Sequence, residues 1–328
     1  MPLSRRGLLR DGARILAAAS LPGSAVAALG AGKDKKDDRA RVDARAIAVR
    51  DIAGLAVFSG AGGNVVALGA PEGALMIDGG LAVNSAMLLK AVRERLKTRR
   101  IQVLINTHWH PEQTGANEAV GAGAGTIISH EVTRLALCAR QPSALYKGLY
   151  GPLPAKARPV KTTYNADSLE FAGERVEYRY LPGAHTNGDL FVHFPRRNVL
   201  VAGGPVSAAR WPTLDYLNGG FMHGFVRSYE ILAEVVRPDT VIIPADGPSL
   251  TGKDIARHKD MYSALFKQFF ILFNKGFGPQ DVVHFNRGED VQGVTAERPL
   301  KDAVAQLGDP AQFLEFAYRS LQLATVPF

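Results

Sequence analysis

Residues 106–117 read Asn-Thr-His-Trp-His-Pro-Glu-Gln-Thr-Gly-Ala-Asn, and they directly follow the apolar run Ile101-Gln-Val-Leu-Ile105. This run predicts a buried strand that ends at the polar residues. In an extended loop, His108 and His110 are two residues apart and point to the same side, whereas Trp109 points away. Neutral imidazoles placed in this way chelate a divalent ion such as zinc. A His-x-His pair alone is equally compatible with a structural role.

A glycine-rich turn supplies a third histidine. His185 lies in Gly183-Ala-His-Thr-Asn-Gly-Asp189, between two predicted strands, and would complete a three-histidine site. The remaining histidines lack such a context and are interpreted as surface or core residues: His130, His193, His223, His258 and His284. The sequence therefore predicts one metal site.

The flanking sequence predicts two sheets between helices. Short apolar runs bounded by glycine or proline indicate strands, and apolar residues at helical spacing indicate helices. The first predicted group has strands at 55–58, 65–68, 74–77, 101–105 and 126–128, with helices at 83–97, 115–120 and 132–140. The second has strands at 168–171, 176–181, 190–194, 199–202 and 240–244, with a helix at 226–236.

The C-terminal part of the sequence is helical in character from Asp254 onward, which defines a helical extension over 253–328. Phenylalanines cluster in it at Phe266, Phe269, Phe270 and Phe273, and core or dimer contacts explain such a stripe better than a ligand site does. The extension would either cap the site or pair two subunits, so the sequence leaves a homodimer open.

Several motifs occur in an order and spacing that resemble the metallo-β-lactamase-fold hydrolases. They lie at 60–65, 76–80, 106–117, 181–189, 199–204 and 242–248, within a domain of about 50–252. The resemblance implies an α/β fold, the αββα sandwich of that family, with the metal site at one edge of the sheets and a C-terminal helical appendage in addition. Because fold does not fix chemistry, the resemblance does not imply β-lactam hydrolysis.

The first metal site of the family is complete in this sequence. Carried over by position, it consists of His108, His110 and His185. Asp78 matches the buried aspartate with which the family supports the metal loop, although an ordinary turn before two glycines would also explain this residue.

The second metal site of the family is altered. The aspartate and histidine that follow the His-x-His pair fall on Glu112 and Gln113, the bridging aspartate falls on Gly204, and the last histidine falls on Asp246. Glycine has no side chain with which to bridge two ions, and an amide is a poor ligand beside histidine. Glu112, Gln113 and Asp246 therefore offer at most a weak second site.

The first site alone predicts a hydrolase with one zinc ion. Three neutral nitrogens leave a fourth zinc position for water, whose pKa the ion lowers to about 7. Glu112 is the candidate catalytic residue that handles protons, although glutamate reaches about 1–1.5 Å further than the family's aspartate. Pro111 holds His110 extended and offers a compensation for that difference. The predicted substrate is a small ester, amide, lactone or related molecule.

The predicted activity has alternatives. The four altered ligand positions favour a degenerate member of the fold that binds metal or a ligand without hydrolysis. Redox or sulfur-transfer chemistry also occurs in the superfamily, whereas nucleases and phosphodiesterases generally need the two-metal arrangement.

Trp109, Trp211 and Tyr216 would either line an apolar pocket or serve as packing, and Cys138 is expected to be a buried helix residue.

The N-terminus resembles an export signal of the twin-arginine type. Residues 1–27 contain Ser4-Arg-Arg-Gly-Leu-Leu9, an apolar stretch too short to span a bilayer, and the small triplet Ala25-Val-Ala27. Residues 28–49 are rich in charge and are interpreted as a linker. The protein is therefore expected in the periplasm or outside the cell, without stable membrane insertion after signal removal. A basic amphipathic helix of the mature protein is the alternative.

Composition excludes several classes of protein. With 46% hydrophobic residues among 328, the chain is globular rather than disordered. The single cysteine excludes an intrachain disulfide and a multi-cysteine zinc site. The net charge is +8, and +5 remains when the four arginines and one aspartate of residues 1–27 are left out. So small a net positive charge does not require nucleic acid as a partner.

Overall fold

The structure is a computed structural model that describes residues 47–143, 145–146, 148–208, 210–278 and 311–324. The predicted export signal at 1–27, residues 28–46 of the predicted linker and His284 lie outside these ranges. Among the helices within them, none combines the length and the apolarity needed to cross a bilayer.

Most strands belong to two sheets. The first has the spatial order β1 (Ala48–Ile52), β2 (Leu55–Ser59), β3 (Val65–Ala70), β4 (Gly73–Ile77), β5 (Ile101–Ile105), β6 (Thr126–His130) and β9 (Lys161–Thr163). A separate hairpin consists of β7 (Gln141–Pro142) and β8 (Leu149–Tyr150). The second sheet has the order β10 (Ala166–Phe171), β11 (Glu174–Leu181), β12 (Asp189–Phe194), β13 (Val199–Ser207), β14 (Val241–Asp246) and β15 (Leu250–Thr251).

Strand directions place the ends of several strands at one edge. β4, β5, β6 and β9 run parallel to one another, as do β13 and β14, whereas the remaining pairs of both sheets are antiparallel. Open sheets bind ligands beyond the carboxyl ends of their parallel strands. Asp78 follows β4, residues 106–110 follow β5, and Asp246 ends β14, so the candidate residues lie at such ends.

Helices cover the outer face of each sheet. The α-helices of the described residues are α1 (Ser85–Leu96), α2 (Pro111–Thr114), α3 (Asn117–Ala122), α4 (Glu131–Cys138), α5 (Met222–Val235), α6 (Gly252–Asn274) and α7 (Ala311–Ala324). The alternation of side chains along a strand explains the layers. Val57 and Val66 belong to the core between the sheets, whereas Phe58 packs with Leu88 and Val92 of α1 on the outer side. The predicted sandwich of two sheets between helices is confirmed.

The C-terminal helices are integral to one core. α5, α6 and α7 contribute to a single buried cluster with the outer face of the second sheet. The ring of Phe313 stacks on Trp211 with centroids 5.3 Å apart. Within the predicted phenylalanine stripe, Phe269 is fully buried, Phe266 and Phe273 pack partly buried against the same cluster, and Phe270 is exposed. The stripe therefore serves mainly as core.

Candidate metal centre

The loop that carries His108 and His110 is anchored at both ends. Asn106 and Asn117 exchange two hydrogen bonds between their buried side-chain amides, at 2.8 and 3.0 Å. His110 is extended, with φ −60° and ψ 152°, as the following Pro111 requires, and it precedes the first residue of α2. The loop therefore leaves β5 in one defined conformation.

Asp78 supports this loop from the neighbouring strand end. Its buried carboxylate accepts hydrogen bonds from the Thr107 N–H at 2.8 Å and from the Thr107 hydroxyl at 2.9 Å. Burial raises the pKa of Asp78 to about 7, although both bonds from Thr107 lower it. Asp78 itself has a φ of +62°, in the left-handed region that is uncommon for residues other than glycine.

His185 comes from the turn before β12 and meets the other two histidines. The three ring centroids are 4.6 to 4.9 Å apart, and each histidine offers one nitrogen within 4.8 Å of the others. All three side chains are buried. The turn is fixed by the Asp215 N–H, which donates to the His185 carbonyl at 2.9 Å. The structure thus brings together the three histidines that the sequence separates by up to 77 positions.

The second nitrogen of each ring is engaged by a partner outside the cluster. Because the Thr107 hydroxyl already donates to Asp78, it accepts from His108 Nδ1 at 3.1 Å. His110 Nε2 donates to the Asp215 carboxylate at 3.0 Å, and His185 Nδ1 donates to the Thr213 carbonyl. These partners assign the tautomers, because a carboxylate and a carbonyl only accept.

The nitrogens that face one another are consequently acceptors. They are His108 Nε2, His110 Nδ1 and His185 Nε2. His108 Nε2 is buried and has no hydrogen-bond partner in the described part of the chain. His110 Nδ1 and His185 Nε2 are 2.8 Å apart. Two lone pairs at that distance repel unless a positive charge lies beside them, and a cation satisfies all three nitrogens together.

Electrostatics keeps these rings neutral. Burial lowers the pKa of His108 and His110 well below the usual range, and neighbouring histidines lower it further. Burial also lowers the pKa of His185, against the hydrogen bond to Thr213. Neutral imidazoles with free lone pairs are the form that coordinates a divalent metal. The residues present therefore fit a metal ion.

Glu112 lies beside this cluster, with one carboxylate oxygen 4.0 Å from His110 Nδ1. Tyr146, from the loop between β7 and β8, directs its hydroxyl at both carboxylate oxygens, at 2.6 and 2.7 Å. Burial raises the pKa of Glu112, whereas the Tyr146 hydroxyl and the charge of Arg210 lower it. Tyr146 was not predicted from the sequence, because no motif surrounds it.

The other second-site positions line the same small cavity as Glu112. Gln113, Asp246 and Gly204 border it together with His108 and His185, and its volume is about 40 Å³. The buried Oε1 of Gln113 lacks a hydrogen-bond partner among the described residues. Asp246 lies 3.3 Å from an Arg210 nitrogen.

Gly204 adjoins the imidazoles so closely that a side chain has no room. A Cβ at this position would lie 2.8 Å from His185 Cγ, closer still to His185 Cδ2, and 3.0 Å from His108 Cε1. Real Cβ atoms essentially never approach other atoms below 3.0 Å. The absent side chain therefore makes space for the ring of His185.

Asp215 is a site residue that sequence reasoning did not single out, although it lies between Trp211 and Tyr216, which were considered for the pocket. It is fully buried, and its carboxylate accepts from His110, from the Ser143 hydroxyl at 3.0 Å and from Asn218 at 2.8 Å. Its backbone N–H also binds His185. Asp215 thus positions two of the three histidines.

Replacing Asp215 by asparagine is expected to weaken zinc binding by about 10- to 100-fold, as for other carboxylates that orient a metal-bound histidine. Asparagine has the same shape, but its acceptor is neutral and its amide competes for the same place. Competition with a chromophoric chelator measures the affinity. Asp239→Asn, at an exposed position, is the control; equal affinities in both variants would contradict the role assigned to Asp215.

The aromatic residues divide between pocket and core. Trp109 is buried, with its ring 4.5 Å from that of His110, and Tyr216 packs against Phe316 at 5.3 Å. Trp211 belongs to both the pocket and the core, because it borders the cavity and stacks on Phe313. Cys138 ends α4 and is partly buried.

The profile of the family described as the metallo-beta-lactamase superfamily matches residues 59–251. None of the curated proteins matches the sequence.

Solved structures share the fold at low sequence identity. A metallo-beta-lactamase from Pontibacter korlensis is 20% identical, with a TM-score of 0.51, over 66% of this chain and 93% of that one. The DIM-1 metallo-beta-lactamase is 15% identical, with a TM-score of 0.53, over 67% of this chain and 98% of that one. The stereoselective inverting sec-alkylsulfatase Pisa1 from a Pseudomonas species is 13% identical, with a TM-score of 0.59, over 86% of this chain and 52% of its own. Identities this low show the fold alone.

Proposed function

Because this chain belongs to the metallo-beta-lactamase superfamily, we propose that it is an exported hydrolase that binds one zinc ion and cleaves a small ester, amide, lactone or related bond. One observation carries the proposal: His108, His110 and His185 direct three neutral acceptor nitrogens at one point. The other nitrogen of each ring donates a hydrogen bond to a partner outside the cluster.

The chemistry of the donor set supports zinc. Three imidazole nitrogens are the ligands of many catalytic zinc sites, which keep a fourth position open, whereas magnesium and calcium favour oxygen ligands. A bound zinc ion would supply Lewis acidity and lower the pKa of water to about 7.

The residues at the four positions assigned to a second metal site support a single ion. Gly204 offers no ligand and has no room for one. Gln113 offers a neutral amide, and Asp246 is held within ion-pair distance of Arg210. Among these four positions, only Glu112 provides a carboxylate that is outside an ion pair in the described residues, and one such ligand is too little for a second firm site.

Glu112 is proposed to accept the proton from the attacking water and to return it to the leaving group. Its carboxylate already lies within 4.0 Å of His110 and is held in place by Tyr146. Burial raises the pKa of Tyr146, so its hydroxyl stays protonated and serves as a fixed donor. A base that is oriented in advance loses little freedom when the substrate arrives.

Space for the substrate lies next to the cavity. A groove of about 600 Å³ shares Gly62 and Asp246 with it, and is bordered by the turn at 59–64 and by residues 246–248. The proposal of export rests on the features of residues 1–27 alone: paired arginines, a short apolar stretch and a small-residue triplet.

The first test is the metal content of the protein purified without added metal. We expect about one zinc per chain, lost in the double variant His108→Ala/His110→Ala and retained in His223→Ala, whose exposed histidine lies on α5. Elemental analysis gives the stoichiometry, and a screen of esters, lactones and β-lactams then tests for hydrolysis.

Two results would contradict the proposal. Two ions per chain would mean that Glu112, Gln113 and Asp246 form a working second site. No metal in the folded protein, even after zinc is supplied, would favour a degenerate member of the fold without catalysis. Circular dichroism establishes that each variant is folded.

A further inference from the structure

Two buried polar side chains on the wall of the metal cavity have an oxygen without a hydrogen-bond partner. Gln113 on α2 and Ser207 at the end of β13 both border the cavity, and they are only 2% and 6% exposed. Gln113 Oε1 and Ser207 Oγ are each buried and unpaired within the described part of the chain. Native proteins leave few buried polar atoms in this state, because an unmade hydrogen bond is unfavourable. The two oxygens therefore indicate a place where a bound molecule supplies the missing bonds.

A zinc ion on the three histidines does not account for these two oxygens. It would satisfy His108 Nε2, which is also buried and unpaired at this cavity. Zinc sites in proteins use imidazole, thiolate and carboxylate ligands, so a side-chain amide and a hydroxyl are poor candidates for its fourth position. Gln113 Oε1 and Ser207 Oγ consequently remain available to a ligand when the metal is bound.

Both side chains extend from backbone that is held in place. The Gln113 carbonyl accepts a hydrogen bond from the Gly79 N–H at 2.6 Å. Ser207 pairs with Asp246 of β14, and the N–H of the next residue, Ala208, donates to the Asp246 carbonyl at 3.0 Å. Such anchoring presents the two side chains to the cavity before a ligand arrives, which lowers the cost of binding.

We infer that Gln113 and Ser207 bind a hydroxyl group of the substrate beside the bond to be cleaved. The carbonyl oxygen of an amide only accepts, whereas a serine hydroxyl also donates. A ligand hydroxyl that donates to Gln113 Oε1 and accepts from Ser207 Oγ satisfies both atoms, whereas a carboxylate has no proton to donate to Gln113.

The substrate class is therefore a hydroxylated ester, amide or lactone. The cavity of about 40 Å³ has room for a group as small as a hydroxyl, and the remainder of the molecule would extend past Gly62 and Asp246 into the groove of about 600 Å³. This inference rests on the proposed function, and it adds which member of that substrate class the site prefers.

The test compares ligands that differ by one hydroxyl group, on the zinc-loaded protein. 3-Hydroxybutyrate and butyrate form one pair, and lactate and propionate form another. Both members of a pair carry the same carboxylate, so its contribution cancels in the comparison. Ligand-detected nuclear magnetic resonance measures the affinities, because it remains sensitive at millimolar dissociation constants. We expect the hydroxylated member of at least one pair to bind about 3- to 10-fold more tightly in the wild type.

Two variants in the cavity and two controls make the comparison specific. Gln113→Met removes the acceptor at similar side-chain length, Ser207→Ala removes the hydroxyl, and each should abolish the preference. Gln312→Met, at an exposed position of α7, and Ser168→Ala, on β10, make the same chemical changes outside the cavity and should keep it. Thermal unfolding establishes that each variant is folded. Equal affinities within both pairs in the wild type, a preference that persists in either cavity variant, or its loss in a control would overturn the inference.

The zinc content of the same samples separates this inference from the proposed function. A protein that holds zinc but binds the members of each pair equally overturns the role of Gln113 and Ser207 alone. A protein that holds no zinc, yet prefers a hydroxylated ligand through these two residues, overturns the proposed function and leaves the hydroxyl site standing. A protein with neither zinc nor a preference overturns both.

Discussion

Replacing Glu112 by glutamine is expected to reduce the rate of hydrolysis by about 100- to 10,000-fold, the range found for general acid–base residues. Glutamine has the same length and still accepts a hydrogen bond from the Tyr146 hydroxyl, so the loop should keep its position. It cannot take up a proton from water. The change is therefore confined to proton transfer.

Zinc content should remain at about one ion per chain in Glu112→Gln, because the three histidine nitrogens are untouched. The control is Glu118→Gln, which makes the same chemical change at an exposed position of α3. Turnover numbers under saturating substrate, measured on both variants with equal zinc, decide the matter. Turnover retained in Glu112→Gln would exclude it as the proton-handling residue.

The second large effect concerns Gly204, where a single methyl group should disrupt the metal site. In Gly204→Ala the new Cβ would lie 2.8 Å from His185 Cγ, closer still to His185 Cδ2, and 3.0 Å from His108 Cε1, so at least one imidazole must move. Loss of a residue that merely orients a ligand costs about 10- to 100-fold in metal affinity. Displacement of the ligand itself should cost at least about 100-fold.

Gly204→Asp places a carboxylate at the position to which the sequence analysis assigned the family's bridging aspartate, and it separates two explanations of a site with one ion. We expect this variant to lose the first ion rather than gain a second. Gly123→Ala, at an exposed glycine with φ −83° and only ordinary contacts for a Cβ, is the control for added bulk.

Chelator competition and thermal unfolding together test the Gly204 variants. If Gly204→Ala binds one zinc as tightly as the wild type and unfolds at the same temperature, the steric account is wrong. Two ions in Gly204→Asp would show instead that a carboxylate at this position is enough to create a second site.

The two experiments address independent parts of the site. Gly204 leaves the space in which the imidazoles converge on the metal ion, whereas Glu112 is proposed to transfer the proton during hydrolysis. A variant at either position leaves the other part intact, because Glu112 contacts Tyr146 and Gly204 contacts the rings of His185 and His108.

Long apolar runs made most of the fold predictable. Strands such as Val199–Ser207 and Glu174–Leu181 carry enough buried residues to be recognised locally. The elements that were missed are short or polar. β1 reads Ala-Val-Arg-Asp-Ile and is largely exposed, β9 reads Lys-Thr-Thr, and β7 and β8 have two residues each. Such strands are formed by pairing with a neighbour rather than by their own composition.

The sequence by itself determined the class of fold and the three histidines, because apolar periodicity and the spacing of His108 and His110 are local properties of the chain. Only the tertiary structure decided which ring nitrogens face inward and what holds them. Asp215 lies 105 positions from His110, Thr213 lies 28 from His185, and Tyr146 lies 34 from Glu112. Hydrogen bonds over such separations depend on how the segments converge after folding, and the tautomers and the orientation of Glu112 follow from those bonds.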